Sequence, residues 1–410
     1  MKRAVIILLL AALFAFPASV SARSSEDLMV RAQQLKALFS ADPQQLESVF
    51  TEAFIAEAQP AKVFAEYYAD LGPCRKVVPQ RDGVVAFYFE RAKIPADIRL
   101  DSRPPHKITG LWLGNALPLA KGYGDVVEKL ESMPAVASFY VKQVGKAEPI
   151  AQYNAEAQLA IASVSKLYLL GALIDSIDAK QRRWSDVVSL DPKRKSLPSG
   201  ILQDWPGSAP ITLHSLASLM ISRSDNTATD HLLSLLGRDQ VERQLVKMKH
   251  ARPERNTPFL STAELFKLKE ASRRRPIAEY LGKSPSEKRQ YLDKALTGVS
   301  LADISEHEEP QQIETLEWFA SAKDLCHAME WLHAKGAMAQ SLLAINPGLD
   351  PFARYAGYKG GSEPGVYGMA YLLRGADGAV YTAAMIWNDS KQPIDEKAFN
   401  RLMAQVLELI

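Results

Sequence analysis

The sequence predicts two folded units, a small α+β unit followed by a larger one whose sheet is assembled from strands at its two ends, with helices between. Three observations carry this reading. Apolar residues recur at three- and four-residue steps over residues 26–69 and then give way to strand-like runs; further strand-like runs open and close the rest of the chain; and a long, mostly helical stretch lies between them. A length of 410 residues also exceeds what one core usually holds.

Ahead of the first unit, Lys2 and Arg3 precede an apolar run over residues 4–16 that Pro17 breaks, and Val20-Ser21-Ala22 supplies small side chains suited to cleavage. Residues 1–22 are therefore expected to be a secretory signal peptide, leaving a periplasmic or secreted protein with no membrane contact after cleavage. In the first unit, residues 23–118, Leu28, Ala32, Leu35, Leu38 and Phe39, then Leu46, Val49, Phe50, Phe54 and Ile55, mark short amphipathic helices. After Gly72-Pro73 the pattern turns to strands at 84–89 and 108–113, separated by the turn at Pro104-Pro105.

The second unit, residues 119–410, opens with a helix over 125–133. A strand from Phe139 then pairs with 150–153 across Gly145-Lys146. It closes with strands at 366–373 and 380–387 around the Gly375-Ala376-Asp377-Gly378 turn, followed by a helix over 395–409. Strands at both ends with helices between imply a sheet assembled from the two termini of the unit. A formal charge of +2 gives no reason to expect nucleic acid or an anionic membrane as partner. The run Arg273-Arg274-Arg275 reads as a solvated helix end. Cys74 and Cys326 are too few for a disulfide scaffold; they read as free thiols, with a bridge between units as the alternative.

The chemistry concentrates in three places. Ala162-Ser163-Val164-Ser165-Lys166 puts a serine at the start of a helix that is apolar nearly all round. Residues three apart share a helix face, so Lys166 can approach the Ser163 hydroxyl. A lysine whose pKa is lowered by burial can take the proton that a serine must lose to become a nucleophile. The second place is Ser224-Asp225-Asn226, and the third is Lys359-Gly360-Gly361-Ser362, just before the strand expected near Val366.

Ser163-x-x-Lys166, Ser224-Asp225-Asn226 and Lys359-Gly360-Gly361 resemble, in order and spacing, the three signatures of penicillin-binding proteins and class A β-lactamases. The resemblance runs from about Asp125 to the carboxyl end and implies an α/β sandwich of the β-lactamase/transpeptidase type. The helix-then-sheet order of the first unit resembles the NTF2-like, ketosteroid-isomerase-type domain found ahead of some bacterial serine hydrolases, with no polar constellation for isomerase chemistry. Together the two units look like the serine hydrolase type of clavulanic-acid biosynthesis.

Residue by residue, the resemblance implies that Ser163 forms the acyl-enzyme, Lys166 helps activate it, and Ser224 relays a proton to the leaving group. Asn226 would orient the substrate amide, and Lys359 would supply positive field for a substrate carboxylate and for Ser224. The amides of Ser163 and Ser362, beside Gly361, would form the oxyanion hole. Asp225 would hold the loop. Two departures stand out. Gly360 replaces the hydroxyl residue that usually follows the lysine, which weakens the expectation of carboxylate recognition. The glutamate loop that activates the deacylating water has no clear counterpart, and Glu254, in Arg252-Pro253-Glu254-Arg255-Asn256, is the candidate base.

No Gly-x-Ser-x-Gly elbow, His-Glu-x-x-His zinc motif or Gly-x-Gly-x-x-Gly loop occurs. His231 reads as a structural histidine and His307-Glu308-Glu309 as a solvated cluster, so neither a metal nor a cofactor is expected. The expected partner is a small-molecule or peptidoglycan-derived substrate. Three functions fit: a hydrolase of β-lactams, esters or amides; a D-alanyl-D-alanine carboxypeptidase; and a binding module that acylates once and stalls.

Overall fold

A computed structural model describes residues 22–79, 84–114, 116–119, 121–272, 277–295, 308–345, 353–375 and 378–410. The expected signal peptide, the Arg273 to Arg275 run and His307 lie outside these residues, apart from Ala22. The described residues fall into two units, one reaching to Lys121 and the other starting at Gly122.

The first unit begins with helices α1 (Ala22–Leu38), α2 (Leu46–Val49), α3 (Glu52–Ala58) and α4 (Pro60–Leu71). Strands β1 (Cys74–Pro79), β2 (Val84–Phe89), β3 (Ala92–Leu100) and β4 (Ile108–Leu113) follow as an antiparallel meander, and β5 (Leu117–Pro118) adds to β3. Aromatic packing fills the space between helices and sheet. The Phe39 ring meets Phe64, Phe87 and Phe89 edge-on at centroid distances of 4.8, 5.1 and 4.9 Å, geometries that suit the ring quadrupole. The periodic residues of the sequence, Ala32, Leu35, Val49 and Phe50 among them, all lie in this core.

The second unit starts with α5 (Tyr123–Glu131), β6 (Val136–Gln143), β7 (Ala151–Tyr153) and the short β8 (Leu159–Ala160). Then come α6 (Lys166–Asp178), the hairpin-like pair β9 (Val187–Ser189) and β10 (Pro210–Thr212), and helices α7 (Leu213–Ser222), α8 (Asn226–Leu236) and α9 (Arg238–Lys247). After these, α10 (Thr262–Ser272), α11 (Ala278–Leu281) and α12 (Pro285–Ala295) lead to β11 (Phe319–Ala320), which pairs with β8. The unit ends with α13 (Ala322–Ala334), α14 (Ala337–Ser341), β12 (Ala344–Ile345), β13 (Ala353–Glu363), β14 (Val366–Gly375), β15 (Val380–Asn388) and α15 (Glu396–Glu408).

The main sheet runs β12-β13-β14-β15-β6-β7, antiparallel throughout. Its two faces are covered by different helices. Trp387 of β15 packs on Phe399 of α15, whereas Thr382, an odd number of residues away and so on the opposite face, meets Cys326 of α13. Both Cys74 and Cys326 are free thiols.

Two local expectations change. Lys359 to Ser362 lies inside β13 rather than just ahead of a strand: Lys359 pairs with Ala370 and Gly361 with Gly368 in a register that turns at Pro364-Gly365. Adjacent glycines lack the side-chain packing that marks a strand in sequence, which concealed it. Ser163 stands in a 3-10 turn over Ala162–Ser165, and the α-helix begins only at Lys166. The chain enters that turn through Ala162 at φ +44°, a left-handed conformation that a side chain disfavours.

Candidate active site

The turn bearing Ser163 is fixed from behind. Ala160 pairs with Phe319, and Asn388 clasps the same residue, accepting from Ala160 N at 2.7 Å and donating to Ala160 O at 3.0 Å. Ile161 N then donates to Trp318 O at 2.9 Å. In front, β13 runs against the turn so closely that a Cβ on Gly361 would stand 2.7 Å from Ser163 N and 2.6 Å from Ile161 O. Glycine there is a requirement of backbone approach. Ser362, exposed on the next position of β13, is the other expected oxyanion donor.

Helix α6 is buried from Lys166 to Ile174, which draws the Lys166 amine into the interior. Its Nζ lies 3.0 Å from Ser163 Oγ, 3.1 Å from Ser224 Oγ, 2.6 Å from Ser224 O and 2.7 Å from Asn226 Oδ1. Burial, and then the charge of Lys359, hold the Lys166 pKa well below the ordinary lysine range against the opposing pull of Asp230 and Asp225. Ser224 O and Asn226 Oδ1 can only accept, so they take the two hydrogens of a neutral amine and leave its lone pair for a serine hydroxyl.

Ser224 sits between α7 and α8 at φ +53°. Asp225 is buried and holds this corner: one oxygen caps α8 by accepting from Ala228 N at 2.8 Å, and the other accepts from Ile201 N and Leu202 N at 2.7 and 3.0 Å. Asn226 donates through Nδ2 to Leu197 O at 2.8 Å, which orients its amide toward Lys166 and leaves a second N–H. From the sheet side, Lys359 Nζ donates to Ser224 Oγ at 3.0 Å and to its neighbour Gly360 O. Burial lowers its pKa to about 7.

The structure therefore brings Ser163, Lys166, Ser224, Asn226 and Lys359 into one hydrogen-bonded group, with Gly361 and Ser362 along its edge. Glu254 is placed differently. It lies on an exposed 3-10 turn, pairs with Arg252 at 2.5 Å with both side chains 61% exposed, and that bond holds its carboxyl pKa below the usual range. A carboxylate so solvated and so paired is a weakened base. His231 has both ring nitrogens engaged, near Thr227 O at 2.7 Å and accepting from Asp191 N at 2.8 Å. Sequence reasoning missed one buried charged cluster, Lys269, Glu317 and Glu363; those residues belong to no motif, and Lys269 stands among Glu264, Lys267 and Glu270 in a helix of mixed charge, so nothing in the sequence singled it out.

A sequence model described as the beta-lactamase enzyme family (Beta-lactamase2) matches residues 125–408, well over half of the chain. The chain belongs to the beta-lactamase enzyme family. Among solved structures, the beta-lactamase of Sphaerobacter thermophilus is similar at 20% identity and a TM-score of 0.51, over 70% of this chain and 96% of that one. A class A beta-lactamase of the last common ancestor of Gram-negative bacteria is similar at 13% identity and a TM-score of 0.50, over 70% of this chain and 96% of that one. At such identities the likeness establishes the beta-lactamase fold, a sheet flanked by helices. No curated protein matches the sequence. Membership of that family makes the chain a beta-lactamase-like serine hydrolase.

Proposed function

We propose that the chain is an exported serine hydrolase that forms an acyl-enzyme on Ser163 and acts on β-lactam, ester or related amide substrates. One observation carries this reading: Lys166 Nζ lies 3.0 Å from Ser163 Oγ and 2.6 and 2.7 Å from Ser224 O and Asn226 Oδ1, two oxygens that can only accept. A neutral amine so arranged offers its lone pair to the Ser163 hydroxyl. Lys166 takes the Ser163 proton as Oγ attacks the substrate carbonyl, and the oxygen that gains charge faces the Ser163 and Ser362 amides. Ser224, bonded to both lysines, then passes a proton to the leaving group, and Lys359 replenishes it. Water attacks the ester in the reverse sense and frees Ser163.

Glu254 offers no support for water activation, so deacylation is the slow step. This favours substrates that leave a small acyl group over opened β-lactams, whose retained amine crowds the water. A D-alanyl-D-alanine carboxypeptidase would use the same residues, and a module that stalls as acyl-enzyme is the limiting case of slow deacylation. The front unit is proposed to be an NTF2-like packing module, and residues 1–22 a cleaved signal peptide, testable by N-terminal sequencing of the exported protein.

Intact-mass spectrometry after exposure to a penicillin and to a fluorophosphonate tests the central claim. One adduct is expected on the wild type and none on Ser163→Ala; undiminished labelling of the folded variant overturns the assignment.

A further inference from the structure

The Lys269 cluster lies apart from the hydrogen-bonded group around Ser163. Lys269 reaches from α10 to within 2.6 Å of Glu317 Oε1 and also pairs with Glu363 of β13. The three side chains are 5, 0 and 9% exposed. Withdrawing such groups from water is costly unless geometry and extra hydrogen bonds compensate. Compensation is visible: Glu317 also accepts from Trp318 N at 3.2 Å. Burial and then Glu317 raise the Glu363 pKa well above the usual range, with Lys269 opposing. The cluster thus sets two carboxyl groups against one buried ammonium.

What the lysine joins is informative. Glu317 precedes Trp318, whose carbonyl binds Ile161 N, and Phe319, which pairs with Ala160; this backbone supports the Ser163 turn. Glu363 follows Ser362 and shares the β13 face of Gly361 and Lys359. Gly361 is the residue that abuts Ser163 N. One side chain from α10 therefore ties the support of the Ser163 amide to the strand that carries the Ser362 amide.

We propose that Lys269 is a positioning residue, which by bridging Glu317 and Glu363 sets the separation of the Ser163 and Ser362 amides that bind the substrate oxyanion. This rests on the acyl-enzyme reading. Oxyanion donors act on the transition states of acylation and deacylation alike, and a displacement of about 1 Å at such a site costs on the order of 100-fold in rate.

The test uses the full chain. Acylation is followed as the burst with a chromogenic cephalosporin and an aryl ester, deacylation as decay of the isolated acyl-enzyme, and oxyanion-site affinity with a phenylboronic acid. Removing Lys269 alone would strand two buried acids, so the variant of choice is Lys269→Met with Glu317→Gln and Glu363→Gln, which neutralises the cluster together. About 10- to 100-fold losses are expected in acylation, deacylation and boronate affinity, with KM little changed, in a protein of wild-type circular dichroism. Should that variant not fold, Glu363→Leu severs one arm only and is expected to lose about tenfold in the same three quantities. Undiminished rates overturn the proposal. So does slowing confined to deacylation, which would make a cluster carboxylate the activator of water. A wild type that never acylates at Ser163 would remove the acyl-enzyme reading itself, and this one with it.

Discussion

Gly361→Ala offers a direct reading of how tightly the site is built. The new Cβ would stand 2.6 Å from Ile161 O and 2.7 Å from the amide nitrogens of Ser163 and Val164, where ordinary contact begins at 3.4 Å. All three atoms are backbone, so no rotamer change relieves the clash; β13 and the Ser163 turn must part by about 0.8 Å. Overpacking of this kind costs about 1–3 kcal/mol of stability. The larger effect is expected in catalysis, because the gap that opens is the one between the Ser163 and Ser362 amides proposed to bind the oxyanion. A displacement near 1 Å predicts a loss on the order of 100-fold in acylation. Gly360→Ala is the matched control on the adjacent residue, since its Cβ would meet Met369 only at 3.8 Å. Stopped-flow acylation by a chromogenic cephalosporin, with thermal unfolding of both variants, makes the comparison. Gly361→Ala acylating at the wild-type rate, or Gly360→Ala losing as much, would refute the reasoning.

Lys359 keeps its proton to about 10.5 when exposed but only to about 7 when folded. Between those values the unfolded chain binds more protons, so stability rises with pH on account of this group, and the burial penalty is complete below about 7. Lys359→Met is expected to abolish turnover yet to stabilise the fold by up to a few kcal/mol near neutral pH, less the lost Ser224 bond, with the advantage shrinking toward alkaline pH; melting curves across pH check it, and a constant difference refutes it. Glu254→Gln is expected to leave burst and steady state within about twofold, because the carboxylate is exposed and paired with Arg252; a suppressed steady state would reinstate it as the base. Asp225→Ala strands Ile201 N and Leu202 N and uncaps α8, so about 2–4 kcal/mol should be lost in denaturant unfolding, against less than 1 kcal/mol for a merely solvated residue.

The site was legible because its parts combine local rules with a known order of signatures. Ser163 and Lys166 are three residues apart, which suffices for contact even though their backbone is a 3-10 turn and a helix start rather than one α-helix. Ser224 and Lys359 converge on the same amine only through long-range packing, which no periodicity encodes and which the family resemblance supplied. Strands with dense β-branched or aromatic residues, such as β2 and β15, were readable at nearly their observed bounds. The alternation in β3 carries Pro95, Lys93 and Arg99 and escaped notice, although its buried positions alternate as a half-buried strand should. The Lys269 bridge was invisible because its partners, Glu317 and Glu363, are far apart in sequence and each looks like a surface acid.

The order of strands has a consequence for how the protein comes into being. β6, the first strand of this unit in chain order, borders β15, the last strand of its sheet, and β15 in turn is the neighbour that anchors β14 and through it β13. During translation the Ser163 and Ser224 segments emerge long before residue 388, but the β12-β13-β14 ribbon that bears Lys359 and Gly361 cannot join β6 and β7 until β15 arrives. Contacts of such sequence separation form slowly, and the waiting strand edges invite aggregation. A nascent chain would accordingly hold Ser163 and Lys166 apart from Lys359, the group closing when β15 inserts between β14 and β6.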